Sequence, residues 1–356
     1  MIKRLFCLLF SALLACFGAR AAAPAENDGY KSEHYQSPIP EAQRRGVEQT
    51  FLTFPEWFLV HSPAEYASFT ADHPAHGFPF LRHIGQIWSS YGAVAEEQWR
   101  QGYPSNPGYH VMICVIASST TVEYALRSFY ENTLGRISWS SSSALTEEDR
   151  YGARVAQDYV DFIRQEPWYL YDFSSKLKGL WSETPMLGPN MLRKWERRYA
   201  LTTEYLIKAV YGKLIEKATR AAYEPAKMTT EVVVDHAPTV LPMANEIKLV
   251  QTLPDGRAML DMPRYFDFRI AATELARNNV KLVDIAGNTT VILATVWVTD
   301  ENADAMLAGN RLLFEQPLIT KPGKRRLALV VPVAGLSDFL MKAGERGVTV
   351  EHVYDY

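Results

Sequence analysis

The sequence predicts an α+β protein in which an N-terminal helical bundle precedes a ferredoxin-like α+β domain with an inserted hairpin. Three observations predict it. Between Pro40 and Tyr223, aromatic and apolar residues recur every three or four positions, the period of a helix buried along one face. After Glu224-Pro225 the period shortens to two, as in strands whose alternate side chains face opposite ways. Ahead of both lies a short basic and apolar leader. The chain therefore divides into residues 1–21 as a signal peptide, 40–224 as a helical domain and 228–356 as the α+β domain.

The leader has Lys3 and Arg4, an apolar stretch from Leu5 to Leu14, and small residues around the A-x-A site Ala19-Arg20-Ala21. That is the layout of a secretory signal peptide, and the apolar stretch is too short to span a bilayer. Leu13-Leu14-Ala15-Cys16 resembles a lipobox, which would make Cys16 a lipidated first residue. Either outcome predicts export to the periplasm, with membrane anchoring in the second case and no transmembrane span beyond the signal region. Loss of Lys3, Arg4 and Arg20 leaves 34 basic against 40 acidic residues, a balance that argues against nucleic acid as a partner. Cys114, inside "VMICVIA", reads as a small core residue. With no disulfide framework, the fold must rest on its own core.

In the helical half, Thr53-Phe54-Pro55-Glu56 and Ser62-Pro63-Ala64-Glu65 each read as a helix start, with proline early in the first turn. Asn106-Pro107 opens a long helix reaching towards Gly135. Thr146 opens another, carrying Tyr151, Val155, Tyr159 and Phe162, and Pro167 ends it. Asn190 opens the longest, with Leu192, Trp195, Tyr199, Leu206, Val210 and Leu214 on one apolar stripe. In the second half, "TEVVVD", "EIKLVQT" and "RAMLDM" read as strands, the last two joined at Pro254-Asp255-Gly256. "RYFDFRIAATELARNN" reads as a helix and "VKLVDIAGNTTVILATVWV" as a hairpin around Gly287-Asn288. A strand "RRLALVVPV", a helix "GLSDFLMKAGERG" and a terminal strand "VTVEHVYDY" follow. From Arg257 this gives β-α-β-β, an inserted arm, then β-α-β, the ferredoxin-like order.

One phrase is written twice: "TTVEYALRSFY" from Thr120 and "TTEYLIKAVY" from Thr202. No wider internal repetition is apparent. On helices, Glu123 and Arg127 are four apart, as are Glu204 and Lys208, the spacing of favourable surface ion pairs. If instead the two helices pack together, Glu123 and Glu204 meet. Two carboxylates placed face to face share a proton or hold a metal ion. His83 and His110 then complete a candidate ligand set for a divalent metal, with Glu56 as a possible base. No H-E-x-x-H, G-x-S-x-G or Gly-rich phosphate loop supports an enzyme. "RKWERR" offers a different site. Arg193, Lys194, Arg197 and Arg198 around Trp195 read either as a basic membrane-surface patch or as a solvated face with Trp195 turned inward.

Five segments, "FLTFPEWFLVHSPAEYASF", "GFPFLRHIGQIWSSY", "GYHVMICVIASSTTVEYALR", "AQDYVDFIRQEPWY" and "WSETPMLGPNMLRKWERRYALTTEY", together resemble a family of uncharacterised bacterial exported or membrane-anchored proteins. The resemblance covers most of the helical half and implies no activity or site residue. The first functional expectation is therefore an envelope-associated protein that binds or scaffolds, with a membrane surface or another envelope protein as partner. The alternative is a metal-dependent enzyme with a Glu/His site in the helical half. A third makes the C-terminal domain a small-ligand sensor, with the "EHVYDY" strand at a sheet edge.

Overall fold

A computed structural model describes residues 35–142, 144–220, 227–238 and 246–355. The signal peptide and Cys16 lie outside the described residues. Helices fill the first half: α1 (Val47–Thr70), α2 (Phe80–Arg100), α3 (Pro107–Tyr130), a π turn (Glu131–Gly135) leading into the short α4 (Arg136–Ser140), then α5 (Glu147–Ile163), α6 (Phe173–Glu183) and α7 (Met191–Arg220). Asn106 caps α3 as expected, its side chain accepting from the Tyr109 N–H. Thr146 and Asp149 form a reciprocal capping box at α5.

The two expected starts near Pro55 and Pro63 are instead interior positions of α1. A proline removes a backbone donor and crowds the preceding turn, which normally breaks a helix. Here tertiary packing overrides that cost. Phe51, Leu52, Phe54, Trp57 and Phe58 are all buried, so this helix is enclosed rather than laid on a surface. Ser62 caps nothing. Its hydroxyl bonds to His83 and Tyr124 on neighbouring helices.

The doubled phrase belongs to a larger repeat. Residues 65–89 match residues 158–182 without a gap, 93 positions apart: Tyr66 with Tyr159, Phe69 with Phe162, Pro74 with Pro167, Phe80 with Phe173, Trp88 with Trp181. Structure follows the same offset. Helices α1 and α5 end at Thr70 and Ile163, 3-10 turns occupy Ala75–Gly77 and Trp168–Leu170, and α2 and α6 begin at Phe80 and Phe173. Ring geometry repeats as well. Phe78 and Phe80 meet edge-on at 4.9 Å and 70°, and Tyr171 and Phe173 at 4.8 Å and 70°. The Trp88 indole donates to Thr121 and the Trp181 indole to Thr202, the same position of the doubled phrase. Because α2 has 21 residues and α6 only 11, the offset falls to 81 in the phrase itself, and this break conceals the repeat in the sequence. The helical half is one three-helix unit written twice, α1–α2–α3 and α5–α6–α7.

The second half forms two antiparallel four-stranded sheets. The first contains β1 (Thr229–Val234), β2 (Lys248–Thr252), β3 (Ala258–Pro263) and β4 (Leu282–Ile285) in the order β2-β3-β1-β4. The second contains β5 (Val291–Val298), β6 (Arg311–Pro317), β7 (Arg325–Pro332) and β8 (Thr349–Val353) in the order β6-β7-β5-β8, the first order with each strand advanced by four. Helix α8 (Phe266–Arg277) precedes the last strand of the first unit, and α10 (Leu336–Glu345) precedes that of the second; α9 (Asp300–Leu307) links β5 to β6. The expected hairpin around Gly287-Asn288 is a sharp turn between sheets. Both edges of β5 are already taken by β7 and β8, so β4 cannot pair with it. The segment expected as an inserted arm supplies the edge strand β6.

Alternation along β5 divides the cores. Ile292, Ala294 and Val296 face α8 and α10 in the core shared by both sheets, whereas Val291 and Leu293 face Phe51, Phe54, Trp57 and Phe58 of α1. Thr50 stitches the contact, its hydroxyl accepting from Leu293 N–H at 2.9 Å and donating to the Tyr354 carbonyl. If the helical repeat is structurally equivalent, Phe80→Ala and Phe173→Ala should each cost about 3–5 kcal/mol by denaturant unfolding. One variant neutral and the other severe would break the equivalence.

Candidate functional site

The doubled phrase sits on two antiparallel neighbours, α3 and α7. Glu123 and Glu204 do converge, but on protein cations. Lys208 bridges Glu123 at 3.2 Å and Glu204 at 2.9 Å, and Arg127 pairs with Glu204 and, at 3.8 Å, with Glu123. The four groups form a ring in which each acid lies between two bases. Burial alone would raise Glu204; Arg127 and Lys208 overcome it and hold the carboxyl at about 2. The same carboxylates raise the affinity of Arg127 and Lys208 for their protons. Each cation also lies over the aromatics of its own unit, Arg127 over Tyr66 and Lys208 over Tyr159.

The ionic seam continues towards the start of α7. Arg197 grips Glu131 of the π turn through two bonds, at 2.8 and 3.1 Å. Arg193 reaches Asp149 at 2.6 Å and the Gly135 carbonyl at 3.1 Å. Glu148 accepts from both Lys194 and Arg198. The acidic first turn of α5 thus supplies partners for the basic first turns of α7.

This corrects the reading of "RKWERR". Its four cations are buried, Arg193 completely, and none is offered to a membrane surface. Trp195 is not turned inward either; it is 42% exposed. The whole expected apolar stripe of α7 points outward, Leu192, Tyr199, Leu206, Val210 and Leu214 with it. On the adjacent α3, Val115, Val122, Leu126 and Phe129 are also exposed, Phe129 by 72%. Periodicity identifies an apolar face but not its direction. A two-faced helix can bury either face, and here the carboxylates of α3, the π turn and α5 decide that the charges go inside.

A second cluster joins the halves. One turn of α1 presents His61, Ser62 and Glu65; α2 adds His83, α3 Tyr124, β7 Arg326, and the terminal strand region His352 and Tyr354, all buried, together with Glu351, whose side chain is 7% exposed. Arg326 donates two bonds to Glu351, at 2.6 and 2.7 Å, and one to Glu65 at 3.1 Å. His61 lies 3.1 Å from the Tyr354 hydroxyl and 3.5 Å from Glu351. Ser62 bonds to His83 Nδ1 at 2.9 Å, and Glu65 stands 3.7 Å from His83 Nε2. Hydroxyl, imidazole and carboxylate follow one another in the order of a nucleophile, a base and its orienting acid. However, 3.7 Å is too long for the second bond, the Ser62 hydroxyl is shared with Tyr124 at 2.7 Å, and Ser62 is only 1% exposed. The cluster is a polar weld between α1 and the second sheet. Only its Glu65 and His83 positions have counterparts in the second helical unit, Asp158 and Lys176, which pair at 2.6 Å.

The chain matches no family model, no curated protein and no solved structure.

The proposed metal-ligand set does not assemble. His83 belongs to the weld, His110 bonds to Tyr91, Glu56 accepts from Tyr109 in the interior of α1, and Glu123 and Glu204 are held by Arg127 and Lys208. Among the described residues no group of three or more His, Cys, Asp or Glu is placed to hold a metal ion. Cys114 is buried, as read from its apolar surroundings. The "EHVYDY" strand does form a sheet edge, but Glu351 and Tyr354 are bonded within the weld, and His352 is enclosed against the Trp57 and Tyr354 rings with both ring nitrogens lacking a hydrogen-bond partner. Sequence inspection passed over Glu65, His61, Arg326 and Glu351. The available signal was Glu65, one turn from His61 within the aromatic stretch "FPEWFLVHSPAEY".

Replacing Arg326 by Met strands two buried carboxylates and should cost about 3–5 kcal/mol, read as a fall in Tm. Stability should also decline on acidification. Burial lowers His61 to about 4 and His83 to about 3, and Arg326 adds to both. As pH falls from the ordinary 6.5, the unfolded chain takes up protons that the folded chain refuses, so stability is lost through that window. Arg326 holds Glu351 at about 2 against its burial, which extends the loss below pH 4.5. Glu65, raised by burial, works in the opposite sense and softens it. Unfolding free energies from pH 8 to 4 test this; a flat profile would show that the folded imidazoles take up protons as readily as unfolded ones.

Proposed function

We propose that the protein is exported and works at the cell envelope by binding rather than by catalysis, through the outer face of α3 and α7. The observation that carries this is the inversion of α7, with its cations paired inside and its apolar stripe outside. Soluble proteins seldom expose contiguous apolar patches beyond a few hundred Å2 unless something covers them. The leader, with Lys3 and Arg4 ahead of Leu5–Leu14 and an A-x-A site beyond, supports delivery to the envelope. Among the described residues no helix is long and apolar enough to cross a membrane, so the face is read as docking against its partner.

The β-x-β-β-α-β order of each sheet unit supports reading the C-terminal half as two ferredoxin-like units. In this reading the half is a platform: its second sheet carries α1, and α1 carries the units that end in α3 and α7.

The test is fractionation of bacterial cells expressing the full chain. The protein should enter the envelope fraction. The pair Leu126→Asp and Leu206→Asp should shift most of it to the soluble fraction, with thermal stability altered by less than about 1 kcal/mol because both side chains are exposed. Retention of the folded double variant in the envelope would overturn the assignment of this face.

A further inference from the structure

We propose that His352 is an acid-operated release for the contact between α1 and the second sheet. Its imidazole is 1% exposed and sits where β8 meets α1, tilted over Trp57 with ring centroids 3.7 Å apart and edge-on to Tyr354 at 4.6 Å. Neither ring nitrogen has a hydrogen-bond partner among the described residues. A neutral imidazole carries one donor and one acceptor, and leaving both buried and unmade costs stability. A phenyl ring would make the same ring contacts without that cost. The polar atoms of His352 therefore do nothing for the folded state.

The other imidazoles of the weld differ. His61 Nε2 meets the Tyr354 hydroxyl and its Nδ1 faces Glu351, while His83 Nδ1 meets Ser62. The strand duplication sharpens the contrast. Val232 pairs with Ile285 and Ala294 with Val353, so Asp284 stands in the first sheet where His352 stands in the second. Asp284 is partnered: it accepts from the Tyr35 hydroxyl at 3.1 Å and from the Gly287 N–H at 2.7 Å.

Protonation would turn this idle ring into one that the contact cannot hold. An imidazolium has two N–H donors, which need acceptors or water. Strand β8 brings Glu351, but Arg326 of β7 already binds both its oxygens. Helix α1 brings Trp57 and His61, while its Glu56 is bonded to Tyr109 and faces Arg264. Strand β5 places the uncharged Thr295 opposite His352. Helix α8 brings Arg269, and Arg164 beyond α5 faces His61. The Trp57 face attracts a cation. Burial, His61 and Arg269 oppose one, and together they hold His352 well below the ordinary 6.5. Once α1 lifts from the sheet, the ring reaches water and titrates normally, so acid favours the open form.

The neighbouring contact does not respond in the same range. Helix α2 meets β6 through Gln86 with Pro317 and Gln316, and through Glu97 with Arg311. Against its burial, Arg311 keeps Glu97 below the ordinary 4.5. Because α1 carries the helical units on the second sheet, its release changes how they are held, whatever the α3–α7 face binds.

The reporter is the Leu293 amide, which donates to Thr50 across the contact. Its hydrogen exchange in the full chain, corrected for the intrinsic pH dependence of amides, gives the opening equilibrium. From pH 7 to 5 that opening should rise about 25-fold more in the wild type than in His352→Phe, the loss of one linked proton. At pH 7 the variant should open less than the wild type, because the stranded polar atoms are gone. The amides of β1 and β3, in the first sheet, should keep their protection at pH 5. His352→Leu, with a smaller side chain, should share the reduced pH response. An equal response in the wild type and both variants would overturn the proposal, since His352 would then take up no proton on opening. Greater opening of both variants at pH 7, or failure of both to fold, would make the imidazole structural and overturn it too. So would loss of β1 and β3 protection in step with Leu293, which is global unfolding and not release.

Discussion

Everything in the helical half depends on where the charges of α7 can go. Taking an ion out of water costs several kcal/mol even after relaxation, and only close partners with further hydrogen bonds offset it. The chain meets that constraint by placing an acid opposite each base. Glu123 and Glu204 alternate with Arg127 and Lys208, Glu131 receives Arg197, Asp149 receives Arg193, and Glu148 receives both Lys194 and Arg198. Once these pairs are closed, the orientation of α7 is set and its apolar stripe is left outside. Buried ion pairs of this kind seldom surpass well-packed apolar residues in stability, so their value here lies in orientation: a slipped register would leave several charges buried without partners.

The π turn Glu131–Gly135 is part of the same solution. It inserts between α3 and α4 where Glu131 must reach Arg197 and where the Gly135 carbonyl must receive Arg193. A π turn widens the helix and re-aims its side chains, a distortion usually found where a specific contact requires it. Gly135 suits the position because a methyl group there would come within 2.5 Å of the Glu131 carboxylate. Duplication then doubles the effect: two copies of one helical unit meet across the ring of four charges, each contributing one acid and one base. The copies have diverged where they face different neighbours. Glu65 and His83 lie against the second sheet and join Arg326 and Glu351, whereas Asp158 and Lys176 remain a simple pair beside Tyr171.

The fold was legible in outline. Asn106-Pro107, Thr146 and the Pro254-Asp255-Gly256 turn each mark a boundary that the structure keeps, because these signals act within a few residues of where they are written. Local rules failed where distant partners intervened. Pro55 and Pro63, read as helix starts, lie inside α1, since a helix enclosed by Phe314, Tyr354 and the second sheet is held by packing around it. The candidate site was half legible. The doubled phrase offered two readings, separate surface ion pairs or a meeting of Glu123 and Glu204 across packed helices, and spacing on one helix is silent about which cations another helix brings to them.

Sequence alone determined the division into a helical and a strand-rich half, the starts of α3, α5 and α7, and the apolar stripe along α7. These follow from backbone propensity and periodicity, which are properties of short segments. Only the tertiary structure decided which face of α7 is buried, that the helical unit and the strand unit each occur twice, and that His61, Glu65, Arg326 and Glu351 form one weld. Those outcomes depend on pairing between residues far apart in the chain, and a buried charge is stable only where its partner arrives from elsewhere in the fold.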